Sequence, residues 1–329
     1  MQSSFECVKR AITFQKPDRL PVQFDVLGNS DFYGMSWRQI GSGDNSLHHT
    51  LDEWGCTWSR TDIKNMGLVT GHPLDDWDRL NGYVWPDPDD DRLYEGMKER
   101  IPGRGDKYVK TYIFALLFER LHHLHGFQNT FIDLYEEPET VNMVLDRIAD
   151  FDVRIIENIS LRFPGMIHGL DFTDDWGTEL DAFISVSMFE EFFAPRYKRI
   201  FDACKEAGWD VWMHSCGKIN SLIPSLIDCG VTALNMLQPL TNGIHEIGER
   251  FSGKVSFYTC CDIQKTLVNG TDEEIENEAV LLMNEWGTEN GGFILSNYGN
   301  AEAIGSTFEK TRVMYDAFMK HDRWKKTGA

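Results

Sequence analysis

The sequence predicts an α/β fold, a (β/α)8 TIM barrel, and three observations lead there. From Lys107 onward, short β-type runs alternate with longer amphipathic runs, the pattern of a parallel sheet wound with helices. The chain has 329 residues, enough for one large barrel, and residues 1–329 read as one domain. The predicted strands end in reactive polar residues, and barrels of this class gather their chemistry at the strand C-termini.

The elements follow in chain order. Residues 4–14 read as a helix closed before Pro17, and Leu20-Pro-Val-Gln-Phe-Asp25 as a strand ending at Asp25. Residues 28–106 read as an irregular excursion rich in Gly, Asp, Pro and Trp, with little regular structure, serving as a lid or docking surface. Trp54, Trp58, Trp77 and Trp85 give it too much to bury for disorder. Strand-like runs then fall at 108–114, 166–172, 210–214, 233–237, 255–259 and 293–296. Helix-like runs separate them at 138–163, 188–207, 219–228, 243–251, 272–285 and 307–320. Ser187 and Thr271 read as N-caps, and Gly208 and Gly230 as helix stops. With Leu20–Asp25 this makes seven strands, and the eighth is expected in the irregular N-terminal part.

Charge and composition exclude several partners. The formal net charge is −20, from 52 acidic and 32 basic residues, a field that repels nucleic acid and anionic membranes. No apolar run approaches the ~20 residues of a membrane span. The opening Met1-Gln-Ser-Ser-Phe-Glu-Cys carries no signal-peptide pattern, so a cytoplasmic, reducing location is expected. The seven cysteines are then mostly free thiols; Cys7, Cys204 and Cys229 read as packing residues, and Cys56 is unassigned.

The chemistry concentrates in Val211-Trp-Met-His-Ser-Cys-Gly217. Residues two apart on a strand point the same way, so His214 and Cys216 project together at a strand end. An imidazole beside a thiol suits zinc. Cys260 and Cys261 end a later strand, and one of them is expected as third ligand. That set leaves a coordination position open, as catalytic zinc requires. A closed site would instead mark a non-catalytic, zinc-stabilised barrel. Other strand ends offer Asp174-Asp-Trp-Gly-Thr-Glu179 and Asn297-Tyr298. His122, His123 and His125 read as a surface or lid cluster, since they cannot share one helix face.

His214-Ser-Cys-Gly-Lys-Ile-Asn-Ser-Leu-Ile-Pro, Pro17-Asp-Arg-Leu-Pro-Val, Phe118-Glu-Arg-Leu, Asp174-Asp-Trp-Gly-Thr and Cys260-Cys-Asp-Ile-Gln-Lys-Thr-Leu together resemble the uroporphyrinogen decarboxylase superfamily. They are most similar to its zinc- and corrinoid-dependent methyltransferases, and in particular to the methyl-ether O-demethylases. The resemblance implies zinc on His214, Cys216 and Cys260, with Cys261 as the substitute. It further implies methyl transfer between a small methylated compound, such as a methoxylated aromatic ether, and corrinoid cobalt. Glu119, Asp174 and Glu179 are candidates for acid–base or relay work, and Asp25, Trp176, Asn297 and Tyr298 for substrate contacts. The branch commonly has Gln where this chain has Glu179. No Asp-x-His-x-x-Gly corrinoid motif occurs, so the corrinoid is expected on a separate partner protein; a homodimer is compatible with the sequence. A decarboxylase of anionic porphyrinogens would need arginines after the first strand, yet none follows Asp25 before Arg38.

Overall fold

A computed structural model of the chain describes residues 1–38, 49–59 and 67–325; parts of the predicted excursion (39–48, 60–66) and residues 326–329 lie outside them. The strands in chain order are β1 (Gln23–Phe24), β2 (Asn29–Ser30), β3 (Phe32–Gly34), β4 (His49–Leu51), β5 (Thr57–Ser59), β6 (Leu68–Gly71), β7 (Tyr108–Ile113), β8 (Gly169–Thr173), β9 (Asp210–His214), β10 (Ala233–Asn235), β11 (Ser256–Thr259) and β12 (Phe293–Leu295). The helices are α1 (Ser4–Ile12), α2 (Met97–Arg100), α3 (Phe118–His125), α4 (Phe127–Glu136), α5 (Pro138–Arg162), α6 (Val186–Met188), α7 (Ala194–Glu206), α8 (Ile223–Cys229), α9 (Pro239–Asn242), α10 (Ile244–Phe251), α11 (Thr266–Asn269), α12 (Asp272–Glu285) and α13 (Phe308–Lys320).

Seven strands form one parallel sheet in the order β12-β11-β10-β9-β8-β7-β3. The chain before β1 closes it into a barrel. The Leu295 N–H donates to the Pro21 carbonyl (3.0 Å) on one side, and the Asp31 N–H donates to the Val22 carbonyl (2.7 Å) on the other. The expected eighth stave is therefore β3, which the sequence had hidden in the irregular stretch. The link from β1 to β3 has no helix, only a 3-10 turn at Asp25–Leu27 and the antiparallel β2. Every later stave is followed by helices, whose apolar faces pack on the outward side chains of the sheet.

Helix α1 stoppers the lower end of the barrel. Ser3 and Glu6 form a capping box at its start. Val8 and Ile12 then pack against the inward-facing Phe32, Tyr108, Trp212, Ala233, Tyr258 and Ile294. Lys9 fastens it to Asp210 at 2.7 Å.

The excursion is more ordered than its composition suggests. Strands β4, β5 and β6 form an antiparallel sheet, and a buried clasp ties it to the barrel. Asp52 accepts from the Trp54 and Cys56 backbones, from Trp58 Nε1 and from Arg120 Nη1 (3.0 Å) on α3. The excursion also corrects the reading of the histidines. His123 and His125 are buried, not on the surface. Trp77 stacks on the His125 ring at 3.6 Å, and His123 packs edge-on to Trp58. Burial accordingly lowers the pKa of His122 to about 4 and of His123 well below the imidazole range.

One cap is also corrected. Thr271 caps α12 with a capping box, as expected. Ser185, not Ser187, caps α6, because its hydroxyl accepts from the Met188 N–H, and a π-helical turn at Phe189–Phe193 then leads into α7.

Candidate metal centre

The upper mouth is built from the loops after β7, β8, β9, β11 and β12. His214 ends β9 and Cys216 follows two residues later on the same side. Cys216 Sγ lies 3.3 Å from His214 Nε2. Asp175, two residues past β8, places Oδ1 3.7 Å from the same nitrogen. Among the described residues, Asp175, His214 and Cys216 are the group whose donor atoms all lie within 4.8 Å of one another.

Two features hold this group in place. Asn235 Nδ2 donates to the Tyr258 carbonyl (2.5 Å), which turns its Oδ1 toward His214 Nδ1 at 2.7 Å. The Nδ1 must then carry the proton, so the Nε2 lone pair faces the donor group. The loops after β8 and β9 are also laced together. The Gly177 N–H donates to the Cys216 carbonyl (3.2 Å), the Lys218 N–H to Thr178 (2.7 Å), and the Cys216 N–H to Asp175 Oδ1 (2.8 Å). Gly217 adopts a left-handed φ of +76° at this crossing.

The donor set fits a borderline cation. It offers one oriented imidazole lone pair, one thiol and one carboxylate. Burial, and next the Asp175 charge, hold the Cys216 thiol above its ordinary range. It is therefore neutral at pH 7 until a cation draws off its proton.

The other sequence candidates take distinct places. Cys260 is fully buried on an inward position of the β11 end, outside the three-donor group. Burial and the charges of Glu278 and Asp262 raise its thiol, while a hydrogen bond from the Tyr298 backbone opposes them. Cys261 points the other way, donating to the Ile275 carbonyl of α12 (3.5 Å). Tyr298 is half-buried, and its phenol is raised chiefly by burial. Asn297 sits beside it, donating to its carbonyl (3.0 Å). Asp25 is exposed at the end of β1.

The three acidic candidates divide. Glu119 is buried, and its Oε2 meets no partner. Burial first, then the charges of Asp175 and Asp174, hold its carboxyl well above the usual range. Asp174 turns away from the mouth. It accepts from the Leu117, Phe118 and Glu119 backbones (3.0, 3.0 and 2.7 Å) and from the Tyr197 hydroxyl, capping α3. Burial lifts its pKa to about 6 against those hydrogen bonds. Glu179 is exposed and joins three loops, accepting from Gln264 (2.8 Å), Thr241 (3.2 Å) and Gln238 (3.5 Å).

Trp176 does not line the mouth. It is fully buried, stacked on Phe118 at 4.3 Å, with its N–H on the Tyr197 hydroxyl. The residue that sequence reasoning passed over is Asp175. The signal was the alternation that singled out His214 and Cys216: Asp175 follows the inward-facing Thr173 by two.

A methyltransferase from Methanosarcina mazei overlays with a TM-score of 0.70 at 13% identity, covering 97% of this chain and 99% of that one. Weaker overlaps occur with an intracellular xylanase from Thermoanaerobacterium saccharolyticum (TM-score 0.39, 10% identity, 65% of this chain and 74% of that one) and with the IOLI protein with a bound zinc atom (0.40, 9%, 69% and 83%). No curated protein matches the chain by sequence. Among the described residues no helix is long and apolar enough to cross a membrane. Residues 121–321, which contain β8 to β12 and the whole donor group, match the uroporphyrinogen decarboxylase (URO-D) model, and the chain belongs to that family.

Proposed function

We propose that this chain is a zinc-dependent methyltransferase. It moves a methyl group between a small methylated compound, a methoxylated aromatic ether first, and the cobalt of a corrinoid carried on a separate protein. The observation that carries this reading is the Asp175, His214 and Cys216 group at the mouth of a URO-D-family barrel. The overlay with a protein described as a methyltransferase supports it.

His214, Cys216 and one further donor hold the metal. Asp175 stands within reach, and Cys260 is the thiolate alternative implied by the sequence. Zinc held there would supply Lewis acidity toward the substrate heteroatom, and the corrinoid would supply the methyl-exchanging centre. The chain's own residues do the rest. Asn235 fixes the His214 tautomer, and Cys216 gives up its proton on ligation. Glu119, kept protonated by its surroundings, holds a proton for the departing oxygen or nitrogen. Asp174 positions α3 and with it Glu119. Glu179 ties the rim loops together. Asp25, Asn297 and Tyr298 contact the substrate. The partner protein sits over the mouth, with the 28–106 excursion as docking surface, and the reaction takes place in the cytoplasm.

Bound zinc tests this directly, in wild type and in Asp175→Ala, His214→Ala, Cys216→Ser, Cys260→Ser and Cys261→Ser. About one zinc per chain is expected, lost with His214 or Cys216 and kept in Cys261→Ser. Whichever of Asp175→Ala and Cys260→Ser loses it identifies the third ligand. A wild type without zinc, or zinc indifferent to His214 and Cys216, overturns the reading.

A further inference from the structure

The two peptides that follow Cys216 are each held from both sides. The first joins Cys216 to Gly217. Its carbonyl accepts from the Gly177 N–H (3.2 Å), and its N–H donates to Gln238 Oε1 (2.5 Å). The second joins Gly217 to Lys218. Its N–H donates to the Thr178 carbonyl (2.7 Å), and its carbonyl accepts from Asn242 Nδ2 (3.1 Å). On the β8 side the partners are backbone groups. On the β10 side they are the side chains at the two ends of α9, so substitution can remove that half of the hold.

Both amides are fixed in one orientation. A backbone N–H only donates, so Gly217 turns Gln238 Oε1 toward the loop, and the Ile219 N–H (3.2 Å) turns Asn242 Oδ1 in the same way. Asn242 Nδ2 donates a second time, to the Gln238 carbonyl (3.0 Å). Asn242 is 2% exposed and Gln238 7%, so water is no ready substitute for either. Gln238 Nε2 is left facing Glu179 Oε1 at 3.5 Å. Glu179 also accepts from Thr241, next to Asn242 (3.2 Å), and from Gln264 (2.8 Å). A carboxylate presents acceptors on both oxygens, which suits a position that faces three donors.

We propose that Gln238, supported by Asn242 and Glu179, is a positioning residue that holds the Cys216 thiol against His214. This rests on the metal-site reading above and adds the side chain that preorganises it. Cys216 lies two residues beyond the end of β9, so sheet pairing does not aim its side chain. The peptides on either side of its Cα do. Asp175 Oδ1 holds the one before (2.8 Å), and Gln238 and Gly177 hold the one after. Without the Gln238 acceptor, the buried Gly217 N–H has no partner and its peptide turns toward one. Sγ then leaves its place 3.3 Å from His214 Nε2.

The full chain tests this with Gln238→Met, which keeps the length of the side chain and removes its hydrogen-bonding atoms. In the metal-free protein, amide exchange at Cys216 and Lys218, whose bonds Gln238 does not make, is expected to quicken about tenfold together with Gly217. Zinc affinity is expected to fall about tenfold or more. The thiolate charge-transfer band of cobalt(II) added in place of zinc should weaken, with the circular dichroism spectrum unchanged. Gln238→Glu/Glu179→Gln keeps an acceptor for Gly217, exchanges donor and acceptor between the two side chains and preserves net charge. It should return zinc affinity to within about threefold of wild type. Glu179→Ala, a surface change, serves if Gln238→Met does not fold, and should quicken the same three amides about threefold. Exchange quickened at Gly217 alone, with wild-type zinc affinity and cobalt spectrum, overturns the proposal. So does a double variant as weak as Gln238→Met, which would assign Gln238 to packing. A wild type that binds neither zinc nor cobalt overturns the metal reading alone, and the exchange rates then decide whether Gln238 holds the Cys216 loop.

Discussion

A Cβ on Gly217 would stand 2.2 Å from the carbonyl oxygen of Gly177. The two glycines let the loops after β8 and β9 cross in contact, and the crossing sets Asp175 beside Cys216. Gly217→Ala must both open the crossing and hold a left-handed φ, and neither loop has a flexible atom to yield. The expected loss is about 3 kcal/mol or more of stability, read from the urea midpoint, with bound metal falling in the protein that still folds. An alanine variant of wild-type stability would show that the crossing is not rigid.

Asn235 works at one remove from the proposed metal. Replacing it by leucine removes the acceptor that keeps the proton on His214 Nδ1. Zinc affinity is expected to fall by about 10- to 100-fold, measured by competition with a chromophoric chelator, while the circular dichroism spectrum stays unchanged. Unaltered affinity would remove Asn235 from the site.

Glu53 gives the fold a pH dependence opposite to that of most carboxylates. Burial raises its pKa to about 7, helped by Asp52 and opposed by Arg120. The folded state therefore holds its proton more tightly than the unfolded chain. The resulting stabilisation is complete below the unfolded carboxyl value and is lost as pH rises through about 7. Glu53→Gln should flatten this slope between pH ~4.5 and 7 and stabilise the protein at pH 8 by on the order of 2 kcal/mol, measured by denaturant titration at each pH. A variant with the wild-type slope would contradict it.

The Arg120–Asp52 pair is buried on both sides. Arg120→Met leaves Asp52 and Glu53 without their cation, and a loss of about 3–5 kcal/mol is expected. Arg120→Met/Asp52→Leu should recover part of it, since no buried charge is then stranded. Protease cleavage confined to the excursion would report the same clasp without full unfolding.

The parts legible in the sequence were those fixed by local periodicity. Strand β9 and helix α12 were read to the residue because an apolar run ends at His214 and because Thr271 reads as an N-cap before acidic residues. The parts that were not legible depend on distant partners. Stave β3 is three residues long and is defined by pairing with β7. The π turn at Phe189–Phe193 is a change of hydrogen-bond register that hydrophobic spacing does not record. The histidines of α3 face two ways, and only the excursion folded over them, with Trp58 on His123 and Trp77 on His125, buries the second face. At the site, the two-residue rule located His214 and Cys216 but was not applied to Thr173 and Asp175. It was silent on Trp176, whose burial comes from Phe118, Phe189 and Phe193 on other elements.

The α1 stopper has a kinetic consequence. A barrel sealed at its base is a vessel with one opening, so arrivals and departures share a doorway. A bulky carrier seated on that doorway traps whatever lies beneath it. Under the proposed function, the small molecule must therefore enter before the carrier docks and leave after it undocks. Saturating carrier is then expected to act as a lid, slowing exchange of the small molecule and imposing a compulsory order on the proposed turnover.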